Sequence, residues 1–325
     1  MLRCYQQSPT GLELNDDLSN LGTMVWIDLF SPTEAEIAMV LKLGVDVPSL
    51  AEMEEIEISN RLYHEGKDDY LTVVLPGQIP APKGVGMMQT MGPVCLVLGP
   101  NRLVTVRHHS PRPFETFPER AAKTVAGCGS VDAIFLGLVE EIIGRLADLL
   151  EITGRSLDEL TAKIYRENGH LIKADEHHKS LTRLGNEGES IGRVRLALLT
   201  IGRALSYVEA SIARRNEQAL LSEVVSAQKH DIAALEVHAD FLSSRLGLAS
   251  DATLGMINLA QNVTVRIVSV VAALFLPPTL IASIYGMNFQ VMPELQNPYG
   301  YPLALFLMFA SAVLTWAFCK WRGWL

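Results

Sequence analysis

Near the C-terminal end the chain carries two runs without a single charge, Ile267–Ile284 and Tyr301–Cys319. Each is close to the ~18–20 residues that cross a hydrocarbon core, so the pattern predicts a membrane hairpin rather than a buried hairpin of a soluble protein. Upstream of the first run, Glu217 to Ile284 contains no proline before Pro277. It reads as one helix of roughly 100 Å at about 1.5 Å per residue. Pro277-Pro278 predict a kink that neighbouring groups must satisfy. Val131–Arg166 and Ser190–Arg215 show apolar residues at three- and four-residue spacing and read as helices. Residues 1–125 read as α/β. Met24–Leu29 and Tyr70–Leu75 are strands, and Val94–Leu98 with Leu103–Val106 form a hairpin around Gly99-Pro100-Asn101-Arg102. Ser31-Pro32-Thr33-Glu34 opens a helix, with Ser31 as cap and Glu34 closing a capping box.

The long helix carries a second pattern. Counting down from Ser283 in alternating steps of four and three gives Thr279, Leu276, Ala272, Ser269, Val265, Asn262, Asn258, Gly255 and Asp251. This heptad stripe is mostly small or polar and is flanked by Ile, Val, Leu and Phe. Such a stripe is costly against lipid and must face protein or water. It fits tight helix packing through small residues. It fits equally a water-filled pore ringed by identical subunits, since two membrane helices cannot enclose one alone. Further down, Leu248, Ser244, Phe241, Val237, Ala234 and His230 continue the stripe in mainly apolar form, as expected of a stalk packed against protein.

Charge orients the hairpin. Arg266 precedes the first span, Lys320 and Arg322 follow the second, and the connecting loop holds only Glu294. The positive-inside rule puts both termini in the cytoplasm, with Trp316, Trp321 and Trp324 in an inner aromatic belt. The net charge of −9 argues against a nucleic-acid partner and suits a chain that gathers cations. Met1–Thr10 is polar and is not a signal peptide, so the large soluble part is expected to stay inside. Cys4, Cys95, Cys128 and Cys319 are scattered and read as reduced thiols.

Other candidate chemistry is sparse. Asp175-Glu176-His177-His178 are adjacent, point different ways on a helix, and read as an exposed polar turn rather than a metal cluster. His108-His109 read as surface residues. His230, Asp231 and His238 read as solvated stalk polarity. There is no nucleophile–base–orienter set, phosphate loop or dinucleotide fingerprint, so the chain reads as no enzyme.

Tyr285-Gly286-Met287-Asn288, followed by Met292-Pro293-Glu294-Leu295, lies between the two spans. With Leu276-Pro277-Pro278-Thr279, Tyr299-Gly300-Tyr301-Pro302 and the basic, Trp-containing tail, it resembles the CorA family of divalent-cation transporters. The resemblance covers about the last third of the chain. It implies a CorA-like, funnel-shaped homopentamer in a bacterial-type inner membrane: an α/β cytoplasmic domain, a long stalk helix and two C-terminal transmembrane helices. The boundaries expected are 1–215 for the cytoplasmic domain with its helical arm, 216–262 for the stalk and 263–284 for the first span. The periplasmic loop takes 285–300, the second span 301–319 and the basic tail 320–325.

The function implied is potential-driven influx of hydrated Mg²⁺, gated by intracellular Mg²⁺. Transport of Zn²⁺, Co²⁺ or Ni²⁺ by the same fold is the alternative. By resemblance Gly286, Met287 and Asn288 form the filter, and Asn288 and Asp251 meet the metal. Thr279, Asn262 and Asp251 are polar rings, and Leu276 and Val268 the constriction, a role Val265 can share. Asn258, Ser269, Ala272 and Ser283 complete the lining, while Tyr285 and Glu294 belong to the outer loop. The chemistry agrees: Gly286 permits a positive-φ turn, and neutral amides hold a hydrated ion loosely enough to release it. The run Glu52–Glu57 resembles an acidic segment that family members carry before a strand, and from composition reads equally as a solvated helix face. Where a relative carries a stalk aspartate that senses internal Mg²⁺, this chain has Ala227.

Overall fold

The computed structural model describes residues 1–8, 11–15, 17–80, 86–166, 174–215, 219–288 and 297–324. They fall into two compact units, Met1–Lys163 with Thr182–Ala249, and Ile164–Leu181 with Ser250–Leu325.

The first unit is built on a seven-stranded sheet of order β2-β1-β3-β7-β6-β5-β4. Its strands are β1 (Leu2–Ser8), β2 (Gly11–Leu14), β3 (Trp26–Phe30), β4 (Leu62–Glu65), β5 (Asp68–Pro80), β6 (Met87–Leu98) and β7 (Leu103–Arg107). The β3–β7 pair is parallel and the other named pairs are antiparallel. Side chains alternate between faces with period two, and both faces are covered. Leu71, Val73, Leu75, Val94, Leu96 and Leu98 join one core with the long helices. Ile27, Leu29, Cys95, Val97, Val104 and Val106 join another with Val40 of α1 (Glu34–Leu41) and Met53 of α2 (Leu50–Glu54). This double burial explains the near-continuous apolar runs of these strands.

The expected hairpin is present, with Val94↔Arg107 through Leu98↔Leu103 in register. Its neighbour reaches further than expected, because β5 and β6 pair as far as Pro80↔Met87. Pro76 and Pro80 lie beyond the reach of β4, which pairs only with Asp68 to Leu71. On that side of β5 only Gln78, between the two prolines, is bridged, exchanging both backbone hydrogen bonds with Ser110, so the missing N–H groups fall outside a continuous ladder, where proline is tolerated.

The expected cap of α1 is corrected. Thr33, not Ser31, caps the helix, and its box closes with Glu36, whose carboxylate accepts from the Thr33 N–H at 2.8 Å. Ser31 is held by the sheet, its N–H donating to Arg107 O at 2.8 Å, with φ at +43°. The acidic run is split: Glu52 closes a box with Ser49 in α2, Met53 is buried, and Glu54, Glu55 and Glu57 are exposed.

After α3 (Ile58–Arg61) and α4 (Pro113–Arg120) come three long helices: α5 (Val131–Arg166), α6 (Ala174–Arg215) and α7 (Ala219–Tyr285). The bounds of α5 match the periodicity, whereas α6 begins well before Ser190. Asp175–His178 thus lie in a helix rather than a turn. Among the described residues no group of three or more His, Cys, Asp or Glu converges to hold a metal. The second unit contains the upper part of α7 and α8 (Gly300–Trp321).

Candidate functional site

Two opposed stripes run along α7. The first is Leu221, Val225, Gln228, Ile232, Leu235, Ala239, Leu242, Leu246, Ala249, Thr253, Met256, Ala260, Val263, Ile267, Val270, Leu274, Pro277 and Ile281. All but Ile267 are buried or half-buried. In the first unit glycines make room for it: a Cβ at Gly154 of α5 would lie 3.6 Å from Leu242, and one at Gly188 of α6 only 2.9 Å from Leu246. The Gln228 Nε2 donates to Leu136 O at 2.8 Å.

The second stripe is offset by two residues, about 200° around a helix. It is the heptad stripe of the sequence, and each of its members from His230 to Ser283 is exposed. Its lower members were expected to pack against protein. Within one chain Val237, Phe241 and Leu248 touch no core and are 72%, 56% and 69% exposed. In its upper part, Asp251, Asn258, Asn262, Ser269 and Ser283 make no hydrogen bond or ion pair among the described residues. The Thr279 hydroxyl donates to its own Phe275 O at 2.6 Å, which leaves oxygen lone pairs facing outward. Gly255, Ala272, Val265 and Leu276 lie on the same face, and Val268 beside it is as exposed as Val265, at 63% each.

α7 stays helical through Pro277 and Pro278 and ends at Tyr285. The expected positive-φ turn at Gly286 is not found, since Gly286 is absent from the left-handed glycines. Its N–H instead continues the right-handed ladder to Ala282 O at 2.9 Å, and Met287 N–H reaches Ile284 O at 3.3 Å. The nearest neighbour of a side chain at 286 is the Ala282 carbonyl oxygen of the same helical turn, 3.1 Å from the Cβ position, a contact any residue continuing the ladder makes, so neither space nor backbone sign requires glycine here. Met287 and Asn288 follow, both exposed, and the Asn288 amide has no partner among the described residues. Glu294 lies outside the described residues.

The apolar windows of α7 and α8 are long enough to cross a membrane, and few of their residues are fully buried inside the chain. A core helix of a soluble protein of that length would be covered, so these faces call for lipid or for other copies. Val270, Ala304 and Cys319 are the buried apolar residues in these windows among those described. At the end of α8 the Lys320 ammonium lies 4.9 Å from the Trp316 ring, Arg322 lies over Phe318 at 5.9 Å, and Trp321 and Trp324 flank Phe318.

Elsewhere the first unit holds its charges privately. Arg107 donates to both oxygens of Asp28, from Nη2 at 2.8 Å and Nε at 3.0 Å, and Thr105 donates to Asp28 Oδ1 at 2.7 Å. Contrary to expectation His109 is buried, wedged against Gly77 and Gly92, with Nε2 at 2.9 Å from Leu75 O. Burial holds its imidazole below the usual histidine range. Burial pushes the Cys4 thiol up to about 11 and that of Cys95 to about 12, which keeps both protonated and poor metal ligands.

A family model described as "CorA-like Mg2+ transporter protein" matches residues 22–320. The chain is 31% identical over 318 residues to the magnesium transport protein CorA of Haemophilus influenzae, covering 97% of this chain and 96% of that one. It is 32% identical over 312 residues to the protein of the same name from Sodalis glossinidius, covering 95% of each. In fold it resembles the complete structure of the CorA magnesium transporter from Methanocaldococcus jannaschii, at TM-score 0.73 and 18% identity, over 100% of this chain and 99% of that one. The full-length CmaX protein is similar at TM-score 0.64 and 15% identity, over 100% and 97% of the respective chains. A continuous match of this extent covers the sheet, the long helices and both apolar spans together, and the chain belongs to the family of CorA-like Mg²⁺ transporter proteins.

Proposed function

We propose that the chain assembles as a homopentamer around the exposed stripe of α7 and admits hydrated Mg²⁺ along it. The observation that carries this reading is the uninterrupted exposure of that stripe from His230 to Ser283, with free amides at Asn258 and Asn262, ending just before Asn288. An amide facing hydrocarbon without a partner costs several kcal/mol, roughly 2–7, so these positions require water or a polar neighbour. Five copies around a common axis supply a wet lumen. Asn288 and the last carbonyls of α7 form its outer ring, Thr279, Asn262 and Asp251 rings within it, and Leu276 with Val268 or Val265 the narrow apolar section.

Mg²⁺ surrenders its water reluctantly, and neutral amides bind it through that water. From Asp251 upward the stripe offers only oxygen donors, which supports Mg²⁺ over Zn²⁺, Co²⁺ or Ni²⁺, ions better served by nitrogen and sulfur. The basic, Trp-bearing end of α8 supports a cytoplasmic C-terminus. The membrane potential then drives entry with about 4–5 kcal/mol per divalent ion per ~100 mV. Internal Mg²⁺, bound among the acidic cytoplasmic domains of a chain of net charge −9, screens their repulsion and closes the path.

The test is Mg²⁺ uptake by liposomes holding the purified chain. Asn288→Ala is expected to cut uptake by about tenfold or more, as loss of a charge-binding contact does. Undiminished uptake removes Asn288 from the path, and bilayers that stay tight under every Mg²⁺ condition leave the chain a membrane-anchored protein.

A further inference from the structure

A cavity of about 500 Å³ opens in the first unit between three turns: Leu43–Asp46 after α1, Glu65–Asp68 between β4 and β5, and Gly99–Arg102 between β6 and β7. Asp68 lines it and is only 8% exposed. Among the described residues its carboxylate makes no hydrogen bond and no ion pair. The nearby His64 is committed to Asp69 instead, at 2.8 Å. A carboxylate can only accept, and the Asp68 oxygens, which open onto the cavity rather than being sealed inside the protein, must take their partners from what fills it.

Gly99 supports the same conclusion. Its backbone is not left-handed, so the turn does not require glycine. A Cβ there, however, would lie 2.6 Å from Asp68 Oδ1. The missing side chain leaves the carboxylate its place in the cavity wall.

The charge of the lining selects the ligand. Asp46 and Glu65 add two carboxylates to Asp68, against Lys67 and Arg102. Tyr70 spends one ring face on Tyr63 and its hydroxyl on the backbone of Asp46. No second aromatic lines the cavity, so the cage that favours organic ammonium ions is missing. Because no three ligating side chains converge among the described residues, a metal here keeps its water. Six waters at about 30 Å³ each take roughly 180 Å³, which the space admits.

We propose that Asp68, with Asp46 and Glu65, holds a hydrated divalent cation between these turns, a binding site separate from the α7 stripe. The assignment of the ion as Mg²⁺ rests on the transport reading. Burial raises the Asp68 carboxyl above the usual aspartate range although Arg102 draws it down.

The test uses the full chain in detergent, titrated with MgCl₂ by calorimetry and by thermal melting, with Asp68→Asn and Gly99→Ala beside the wild type. The second variant keeps every charge and only displaces the carboxylate. Both are expected to lose one Mg²⁺ site per chain, or to weaken it about tenfold or more, and to lose the Mg²⁺-dependent rise in melting midpoint. Without Mg²⁺, Asp68→Asn should melt no lower than wild type, because burial already disfavours the charged carboxylate; a purely structural Asp68 predicts a lower midpoint and overturns the proposal. Wild-type stoichiometry in both variants also overturns it, as does putrescine binding the site where Mg²⁺ does not. Liposome uptake separates the two readings. Uptake by wild type with no Mg²⁺ site lost in the variants leaves transport standing and this site refuted. A lost site without any uptake does the reverse.

Discussion

Phe241 and Leu242 are adjacent in α7 and have opposite fates. Leu242 is 1% exposed and fills the space over Gly154, whereas Phe241 is 56% exposed and lies in no core of its own chain. The same contrast holds along the whole helix, stripe against stripe. A lone helix needs one buried face to stay folded onto its domain. A second, equally regular face with no partner in the chain is a surface kept for something else. The exposed stripe then changes character along its length. Val237, Phe241 and Leu248 are sticky and dry, while Asn258, Asn262 and Ser269 are small and polar. On the proposed assembly the lower part would bring copies together and the upper part would let water between them.

The hardest way to break this comparison is to damage each stripe at the neighbouring pair. Leu242→Ala should destabilise the first unit by about 2–5 kcal/mol, the usual loss for a buried leucine, read as a lower denaturant midpoint. Phe241→Asp should leave that midpoint within about 0.5 kcal/mol, as surface changes do, yet drive the protein from oligomer to monomer in light scattering. If Phe241→Asp unfolds the chain as Leu242→Ala does, the two faces are not functionally distinct. Further up, Asn258→Leu with Asn262→Leu tests the polar section alone. Neither side chain has an internal partner, so folding should be unaffected, while Mg²⁺ uptake falls about tenfold or more as the rings are dried.

Much of this was legible in the residues. The limits of α5, the continuity of α7 and the exposed stripe all follow from three- and four-residue spacing, because helix geometry is local. The family loop was legible as a motif. Features set by distant contacts were not. Ser31-x-x-Glu34 and Thr33-x-x-Glu36 are equally good capping boxes in sequence, and only the hydrogen bond from Ser31 to Arg107 on β7 decides between them. His109 looks like a surface residue until Gly77 and Gly92 are brought against it by strand pairing. Strands β2 and β4 gave no clear signal, being four residues each at the two sheet edges, where alternation is weak, and β1 was hidden by its mainly polar sequence. Gly286 was read for its freedom of φ, but its N–H continues the right-handed ladder to Ala282 O and its φ is not positive.

The finest distinction concerns Thr279, the stripe position one turn below Ser283. Its hydroxyl proton is spent on the Phe275 carbonyl at 2.6 Å, so on its exposed face it offers lone pairs and no donor. Water bound to a divalent cation donates and has little need to accept, and an oxygen presented in this way suits it. Thr279→Val keeps the shape and removes those lone pairs, and Thr279→Ser keeps the oxygen and removes a methyl group. Uptake by the valine variant should fall about three- to tenfold, in line with the ~0.5–1.5 kcal/mol of one hydrogen bond, with the serine variant close to wild type. The opposite order would make Thr279 a packing residue in a dry seam. The upper stripe would then be a helix interface like the lower one, and the contrast between them would disappear.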